Sequence, residues 1–446
     1  MSHTKLEDPT EHAPLSEDAI RRRVGAATII GSALEWYDFY LYAAMAALVF
    51  GDIFFAQSAS ASGTMAAFAT FAVGFIARPF GGILFGHLGD RIGRKKVMVI
   101  TFALMGVSTG LIGLLPDYSQ IGMLAPIMLV IFRVFQGLGS GAEYSSAAVV
   151  AYEHATAERR GRQGAWPALG LNIGLLASSL TVAALTTLPE DVLLGWAWRI
   201  PFIASFALVG VGMWVRGRVP ETDEFEELAK KRASETTATK TQIPFIQLIR
   251  TDWRGLLVVM SLALGYNALS YIFKTFSLAY LTKFRDVAAN VGAIGITIAS
   301  AVAIVTVPLF GRASDKYGSR KVILAGSLAS ALFAFPFFAF MHAGTVGIIL
   351  GLVIATGILA PAMFAPQGAF LSKQFAASVR VSGVGTGREF GGAISGGLAP
   401  LAALAIVGAS ATHATWGVSL ILLVGAVLVG LAGLLDQGKR HSHDRN

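Results

Sequence analysis

Cysteine is absent from the 446 residues. That excludes disulfides, thiol nucleophiles and cysteine-ligated metals. Charge is scarce as well: Asp, Glu, Lys and Arg make up only 14% of the chain, against about a quarter in soluble domains. A deficit that runs the whole length, beside 54% apolar residues, indicates an integral membrane protein. There is no P-loop and no HExxH run, and His87, His342 and His413 are too dispersed for a metal site. No enzyme activity and no cofactor are expected. The polar N-terminal stretch ends in Arg21-Arg22-Arg23, and the apolar run behind it is too long for a signal-peptide core, so no cleaved signal is expected.

What the chain has instead is long apolar runs. A membrane-crossing helix needs roughly 20 apolar residues. Twelve stretches qualify, at about 24–50, 63–85, 97–115, 121–143, 164–187, 196–215, 255–281, 290–310, 322–341, 345–371, 383–408 and 414–435. With both chain ends on one side, 28 of the 35 Lys and Arg fall on that side, and only Lys283 and Arg285 occupy the opposite loops. The positive-inside rule then places both termini in the cytoplasm. The net charge of +8 is topological, and the lipid bilayer, not nucleic acid, is the expected partner.

The expected organisation is a cytoplasmic tail (1–23), a six-helix half (24–215), a mixed-charge cytoplasmic linker (216–254), a second six-helix half (255–435) and a tail (436–446). A repeat supports the division. Gly86-His-Leu-Gly-Asp90-Arg91-Ile-Gly93-Arg94-Lys-Lys lies between spans two and three, and Gly311-Arg-Ala-Ser-Asp315-Lys-Tyr-Gly318-Ser-Arg-Lys between spans eight and nine. Arg160 after span four likewise matches Arg380 after span ten. A duplicated six-helix unit suits a transporter that rocks one half against the other.

The two loops resemble the signature loop of the major facilitator superfamily. "EWYDFYLY" (35–42), "ARPFGGILFGHLGDRIGRKK" (77–96), "RVFQGLGSGAE" (133–143) and "WRIPF" (198–202) narrow the resemblance to the metabolite:proton symporter family, which includes shikimate, α-ketoglutarate and proline/betaine permeases. Residues 307–338 and 364–375 are similar to its shikimate-permease-like branch. The resemblance implies an all-α integral membrane protein with the major facilitator fold, twelve transmembrane helices in two six-helix halves. It implies a monomer in a bacterial inner membrane that imports a small organic acid, shikimate-like or another aromatic or hydroxy carboxylate, with a proton as coupling ion. Uptake of a zwitterionic osmolyte such as proline or betaine, uptake of a dicarboxylate, and efflux by antiport remain alternatives.

A charge at the bilayer centre costs about 2.5–3.5 kcal/mol on insertion scales, so each one needs a partner or an aqueous cavity. Glu35, Asp38 and Tyr42 share one stripe of span one. At 1.5 Å per residue Asp38 is about 21 Å into the membrane, the depth at which repeat-built transporters bind substrate and coupling ion. A helix-packing polar pair is the alternative. Arg133 begins RVFQGLG in span four at a comparable depth, and the resemblance pairs it with Asp38. Low dielectric favours a protonated carboxyl and an adjacent arginine favours the carboxylate, so making and breaking that contact would switch proton affinity. A purely structural ion pair is the alternative.

Other intramembrane cations are Arg78 before Pro79, Arg199 in WRIPF, Lys274 in span seven and Arg388 beside Glu389 in span eleven. Asn267, Tyr271 and Lys274 fall at i, i+4, i+7 on one face. Adjacent Arg388 and Glu389 point about 100° apart, so different partners are expected. Arg199 resembles an arginine that engages the substrate carboxylate in the α-ketoglutarate branch, with a structural anchor as the alternative. Lys274 and Arg388 replace residues the family usually leaves uncharged. They indicate an anionic substrate, or an internal salt bridge such as Lys274–Glu389. Tyr42, Tyr271 and Gln367 would supply walls and directed hydrogen bonds.

Gly137, Gly139, Gly141, Gly170 and Gly174 read as close-packing positions. Glu143 either lines a vestibule or pairs locally. The resemblance makes Gly86, Asp90, Arg91, Gly93, Arg94, Glu153 and Arg160 a conformational latch between helix ends, which stabilises an outward-open state. A solvated charge run is the alternative, and it applies to Lys95 and Lys96. In the second half Lys373 stands where relatives often have an acid, so Asp315 and Arg380 are expected to form a weaker latch with no third partner.

Overall fold

The computed structural model describes residues 16–55, 60–234, 244–412 and 414–436. The outer parts of both expected tails, 1–15 and 437–446, and residues 235–243 of the expected linker lie outside the described residues. The protein is all helical, with no strand among the described residues. Its long runs are α1 (Glu17–Leu48), α2 (Ser60–Ile92), α3 (Arg94–Gly113), α4 (Leu124–Glu153), α5 (Trp166–Leu185) and α6 (Arg199–Gly217). After a linker helix (Asp223–Ser234) and a short helix (Pro244–Thr251) come α7 (Trp253–Phe284), α8 (Ala289–Tyr317), α9 (Ser319–Phe333 and Pro336–His342), α10 (Gly344–Ser372), α11 (Arg380–Ala409) and α12 (Trp416–Leu434).

Among the described residues nine helices are long and apolar enough to cross a membrane, and ten if the two arms of α9, bent by 52° before Pro336, are one span. The two other long runs, α1 and α2, carry the buried charges Glu35, Asp38 and Arg78. Large apolar side chains such as Phe80, Leu328, Leu332 and Leu398 are exposed. Lipid contact accounts for such a surface, since a soluble monomer rarely shows so extensive an apolar exterior.

The repeat is visible in backbone geometry. Gly93 (φ 117°) ends α2 and Gly318 (φ 88°) ends α8, each at the same place in its loop motif. A side chain is strained at positive φ, so glycine closes both turns.

Within the first half α1 packs on α5, α2 on α4, and α3 on α4 and α6; within the second, α7 packs on α11 and α12, and α9 on α12. Glycine permits the closest of these approaches. A Cβ on Gly81 would lie 2.0 Å from the Leu138 carbonyl oxygen, and one on Gly141 2.1 Å from that of Arg78. Gly137, Gly139, Gly170 and Gly174 likewise face backbone carbonyls of neighbouring helices, which is the packing role read from the sequence. The halves meet along α2 and α11 and along α5 and α8. In the first seam Gly82, Gly86 and Gly89 lie against Gly385, Ser382 and Val381, with backbone or side-chain atoms 3.0–3.1 Å from where a Cβ would be. The seam therefore closes tightly toward the end that carries the motif loops.

Candidate functional site

Between the halves two adjoining hollows, with about 320 and 370 Å³ of empty space, share Trp36, Asn267, Tyr271 and Arg388. Only about 20 Å³ of each is free for a water-sized sphere, so a ligand larger than water enters when the surrounding helices move apart. The larger is walled by aromatic rings: Tyr40 from α1, Tyr266 from α7 and Phe364 from α10, the last two stacked at 4.8 Å. The smaller adds Phe75, Arg78 and Glu389.

Lys274 lines the larger hollow. It lies in a π-helical segment of α7, Ile272–Phe276. A π segment inserts an extra residue and shifts the helix face, yet Asn267, Tyr271 and Lys274, expected on one face, all reach the cavity. Among the described residues Lys274 has no carboxylate within ion-pair distance, so the Lys274–Glu389 bridge considered from the sequence does not form. Glu389 is engaged elsewhere. Arg78 donates through Nη2 to Glu35 Oε1 (2.8 Å) and through Nε to Glu389 Oε2 (2.9 Å), while Arg388 Nη1 donates to Glu389 Oε1. Four buried charges thus alternate in a chain, Glu35–Arg78–Glu389–Arg388, that crosses from one half to the other. The expectation of separate partners for Arg388 and Glu389 is corrected: the long guanidinium folds back across the angle between adjacent positions. Its face also lies 3.8 Å from the Tyr144 ring centre.

Glu35 and Asp38 do not act as one stripe. Positions three apart are about 60° apart around a helix, and α1 has neighbours on both sides. Glu35 turns to α2, whereas Asp38 turns to α3 and α6 and accepts hydrogen bonds from Thr109 Oγ1 of α3 (2.8 Å) and Ser205 Oγ of α6 (3.2 Å). The direct Asp38–Arg133 pair is absent. Arg133 donates to Gln136 Oε1, Gln136 Nε2 donates to Thr109 (2.8 Å), and Thr109 donates to Asp38, so the arginine is joined to the acid through two neutral side chains. The Arg133 guanidinium stacks 4.1 Å from the Tyr42 ring centre instead.

Three residues expected to bind substrate lie elsewhere. Tyr42 is fully buried with its hydroxyl 2.5 Å from Thr70 Oγ1. Arg199 donates to the carbonyls of Gly113 (3.1 Å) and Leu115 (2.5 Å), anchoring the end of α3. Gln367 is buried beside the Gly164–Gly368 contact, outside both hollows, and its Nε2 has no acceptor among the described residues. Glu143 pairs locally, with Arg216 of α6, whose Nη1 donates to Glu143 Oε2 at 2.8 Å. Sequence reasoning missed Arg216 by assigning it to the linker. Its trace in the sequence is Gly31, where a Cβ would collide with the Arg216 guanidinium.

At the motif-loop end Asp90 accepts from the backbone N–H groups of Val381 (3.2 Å) and Ser382 (2.8 Å). These are the first turn of α11, where a negative charge meets the positive end of the helix dipole. Arg94 pairs with Glu153 (3.3 Å) and donates to the Ala377 carbonyl (2.6 Å), and Glu153 also pairs with Arg380 (2.6 Å). Arg380 reaches Glu224 of the linker helix, and Asp315 takes Arg162 of the first half (3.5 Å). The expected weak second latch is corrected: Asp315 and Arg380 find their partners across the interface. Arg160 contributes by stacking on Tyr152 (4.5 Å), and Arg91 is exposed. Glu221, not anticipated, accepts from the N–H groups of Arg94 (3.1 Å) and Lys95 (3.2 Å) at the start of α3. Asp90→Ala removes the acceptor for two α11 amides without touching the cavity. It is expected to slow turnover about tenfold through a population shift while leaving equilibrium ligand binding within about twofold; uptake kinetics beside calorimetry check it, and lost binding with normal turnover would contradict it.

Residues 28–285 match the model of the Major Facilitator Superfamily, and residues 218–435 that of the Nucleoside H+ symporter family. The chain is 36% identical to the shikimate transporter of Escherichia coli K12 over 421 residues, covering 93% of this chain and 94% of the relative. It is 33% identical to the inner membrane metabolite transport protein YhjE of the same organism, covering 98% of each. To the proline/betaine transporter of E. coli K12 it is 33% identical, over 83% of this chain and 77% of the relative. The proton:xylose symporter XylE bound to 6-bromo-6-deoxy-D-glucose has the same fold, with a TM-score of 0.71 at 15% identity, covering 94% of this chain and 95% of that one.

Proposed function

The chain belongs to the major facilitator superfamily and is a small-molecule transporter, not an enzyme; from that premise we propose that it imports a small organic carboxylate together with a proton, across a bacterial inner membrane, by alternating access. The observation that carries the substrate class is Lys274. Its side chain lines a cavity with five aromatic residues and, among the described residues, no carboxylate in its lining, whereas Arg78 and Arg388 are neutralised by Glu35 and Glu389. A cation held this way recruits an anion, because a charge-assisted hydrogen bond offsets the desolvation of both groups. Trp36, Tyr40, Tyr266 and Phe364 suit a ring, and Asn267 and Ser270 offer polar contacts at its edge. Similarity to a shikimate transporter supports the same reading.

Asp38 is the proposed proton carrier. Both of its partners are hydroxyls with a second acceptor in reach: Thr109 Oγ1 lies 3.0 Å from the Met105 carbonyl oxygen and Ser205 Oγ 3.3 Å from that of Pro201. When Asp38 gains a proton, each hydroxyl can turn away without leaving a buried polar group unmet, so both states of the acid are accommodated. The motif-loop end, rich in Lys and Arg, is placed in the cytoplasm. With the α2–α11 seam closed there, the cavity belongs to a state sealed on that side. Similarity to a proline/betaine transporter favours a second reading, a zwitterionic substrate whose cation faces Glu389; two arginines already share that carboxylate, so the anion reading is preferred.

Purified protein is to be screened by thermal shift against shikimate, quinate, aromatic acids, dicarboxylates and betaines, followed by proteoliposome uptake of each hit. Stabilisation by monocarboxylates and uptake driven by an inward proton gradient are expected. Stabilisation by betaines alone would select the second reading, and uptake driven only by sodium would overturn the proton reading.

A further inference from the structure

The chain Glu35–Arg78–Glu389–Arg388 has an order that matters. Glu35 and Arg78 stand on α1 and α2 of the first half, and Arg388 and Glu389 on α11 of the second. Only the central contact, Arg78 Nε to Glu389 Oε2 at 2.9 Å, crosses between halves. It lies one turn from Gly82, whose Cβ position is 3.1 Å from the Gly385 carbonyl oxygen, so it sits where the glycine seam begins. All four side chains are at most 8% exposed.

We propose that Arg78 and Glu389 form a reversible clasp between the halves, and that Glu35 and Arg388 are the positioning residues that let it open by leaving each half's share of this four-residue chain electrically neutral. When the seam parts, Arg78 keeps Glu35 and Glu389 keeps Arg388. Opening then costs one ion pair, not two bare charges in a low-dielectric interior, where removing a single partner is far more costly than removing a whole pair. The proposal rests on the alternating-access reading above and goes beyond it by assigning Arg78 and Glu389.

This arrangement makes a sign pattern that a merely stabilising cluster does not. Removing an inner charge, by Arg78→Gln or Glu389→Gln, deletes the crossing bond and leaves like charges facing across the seam, so the seam opens. Removing an outer charge, by Glu35→Gln or Arg388→Gln, leaves an inner residue whose only counter-charge is across the seam, so the seam closes.

The test uses the full-length chain in nanodiscs. Because it has no cysteine, Lys96→Cys with Arg312→Cys, both exposed at the motif-loop end on opposite halves, accept spin labels selectively, and pulsed electron resonance reads the distance between them. Two distance populations are expected for the parent. The inner variants should move their ratio about tenfold or more toward the long distance, and the outer variants as far toward the short one, within the range of conformational couplings. The double variant Glu35→Gln/Arg388→Gln should be the most closed of all, and if one inner variant fails to fold the other carries the same sign. Shifts of one sign for all four, or none, would overturn the clasp. A parent with a single distance under every condition would instead overturn the alternating-access reading.

Discussion

Asp38→Asn is expected to abolish accumulation against a gradient while substrate exchange across the same membrane stays within a few-fold of the parent. One pH unit supplies about 1.4 kcal/mol per proton, so a one-proton symporter under that gradient holds a roughly tenfold excess of substrate inside. Asparagine keeps the size of the side chain, and its Oδ1 can accept from one of the two hydroxyls while its Nδ2 donates to the other, but it cannot carry the proton. The internal excess should fall from about tenfold to parity. Proteoliposomes loaded at the opposite pH, with counterflow as the control, measure both quantities, and a normal excess in Asp38→Asn would remove this residue from coupling.

Lys274→Gln should weaken binding of the carboxylate substrate roughly 10- to 150-fold, the worth of a hydrogen bond to a charged group at 1.5–3 kcal/mol. Its methyl ester, which has no negative charge, should bind parent and variant within about twofold of each other. Lys274→Arg should recover part of the loss, because the charge remains while the shape of the donor changes. Titration calorimetry with the acid and the ester separates these outcomes. Equal binding of the acid by parent and Lys274→Gln would move the anion site away from α7.

The elements that define the fold were legible because they are written locally. Apolar length sets a span, the repeated loops set the duplication, and Gly93 and Gly318 set the same turn twice. The site was legible only in part. Helical spacing put Asn267, Tyr271 and Lys274 on one face, and the π segment did not spoil it. Spacing cannot say which neighbour a face meets. Glu35 and Asp38, three residues apart, reach different helices, and Arg78 takes partners 43 and 311 positions away. Asp38 is held by a threonine and a serine, residue types that in any membrane helix also bond to their own backbone, as these two do. Nothing in the linear pattern separates them from packing residues. Arg199 and Arg216 show the same limit from the other side, since carbonyls at a helix end and a gap at Gly31 decide their roles.

The linker helix changes what it means to cut the chain. The helix and the residues just before it hold both sides at once: Glu221, two residues ahead of the helix, takes the opening amides of α3, and Glu224 in its first turn takes Arg380 at the start of α11. Two fragments produced from separate genes should therefore depend on where the break falls. A break within 235–243 leaves the helix attached to the N-terminal fragment, still able to grip the C-terminal fragment through Glu224. A break at 218–220 frees the helix from its anchor beside α6, and Glu221 must then find α3 as a ligand in trans. Co-purification of the two fragments should be stronger for the first pair than for the second, and Glu224→Ala should erase the difference.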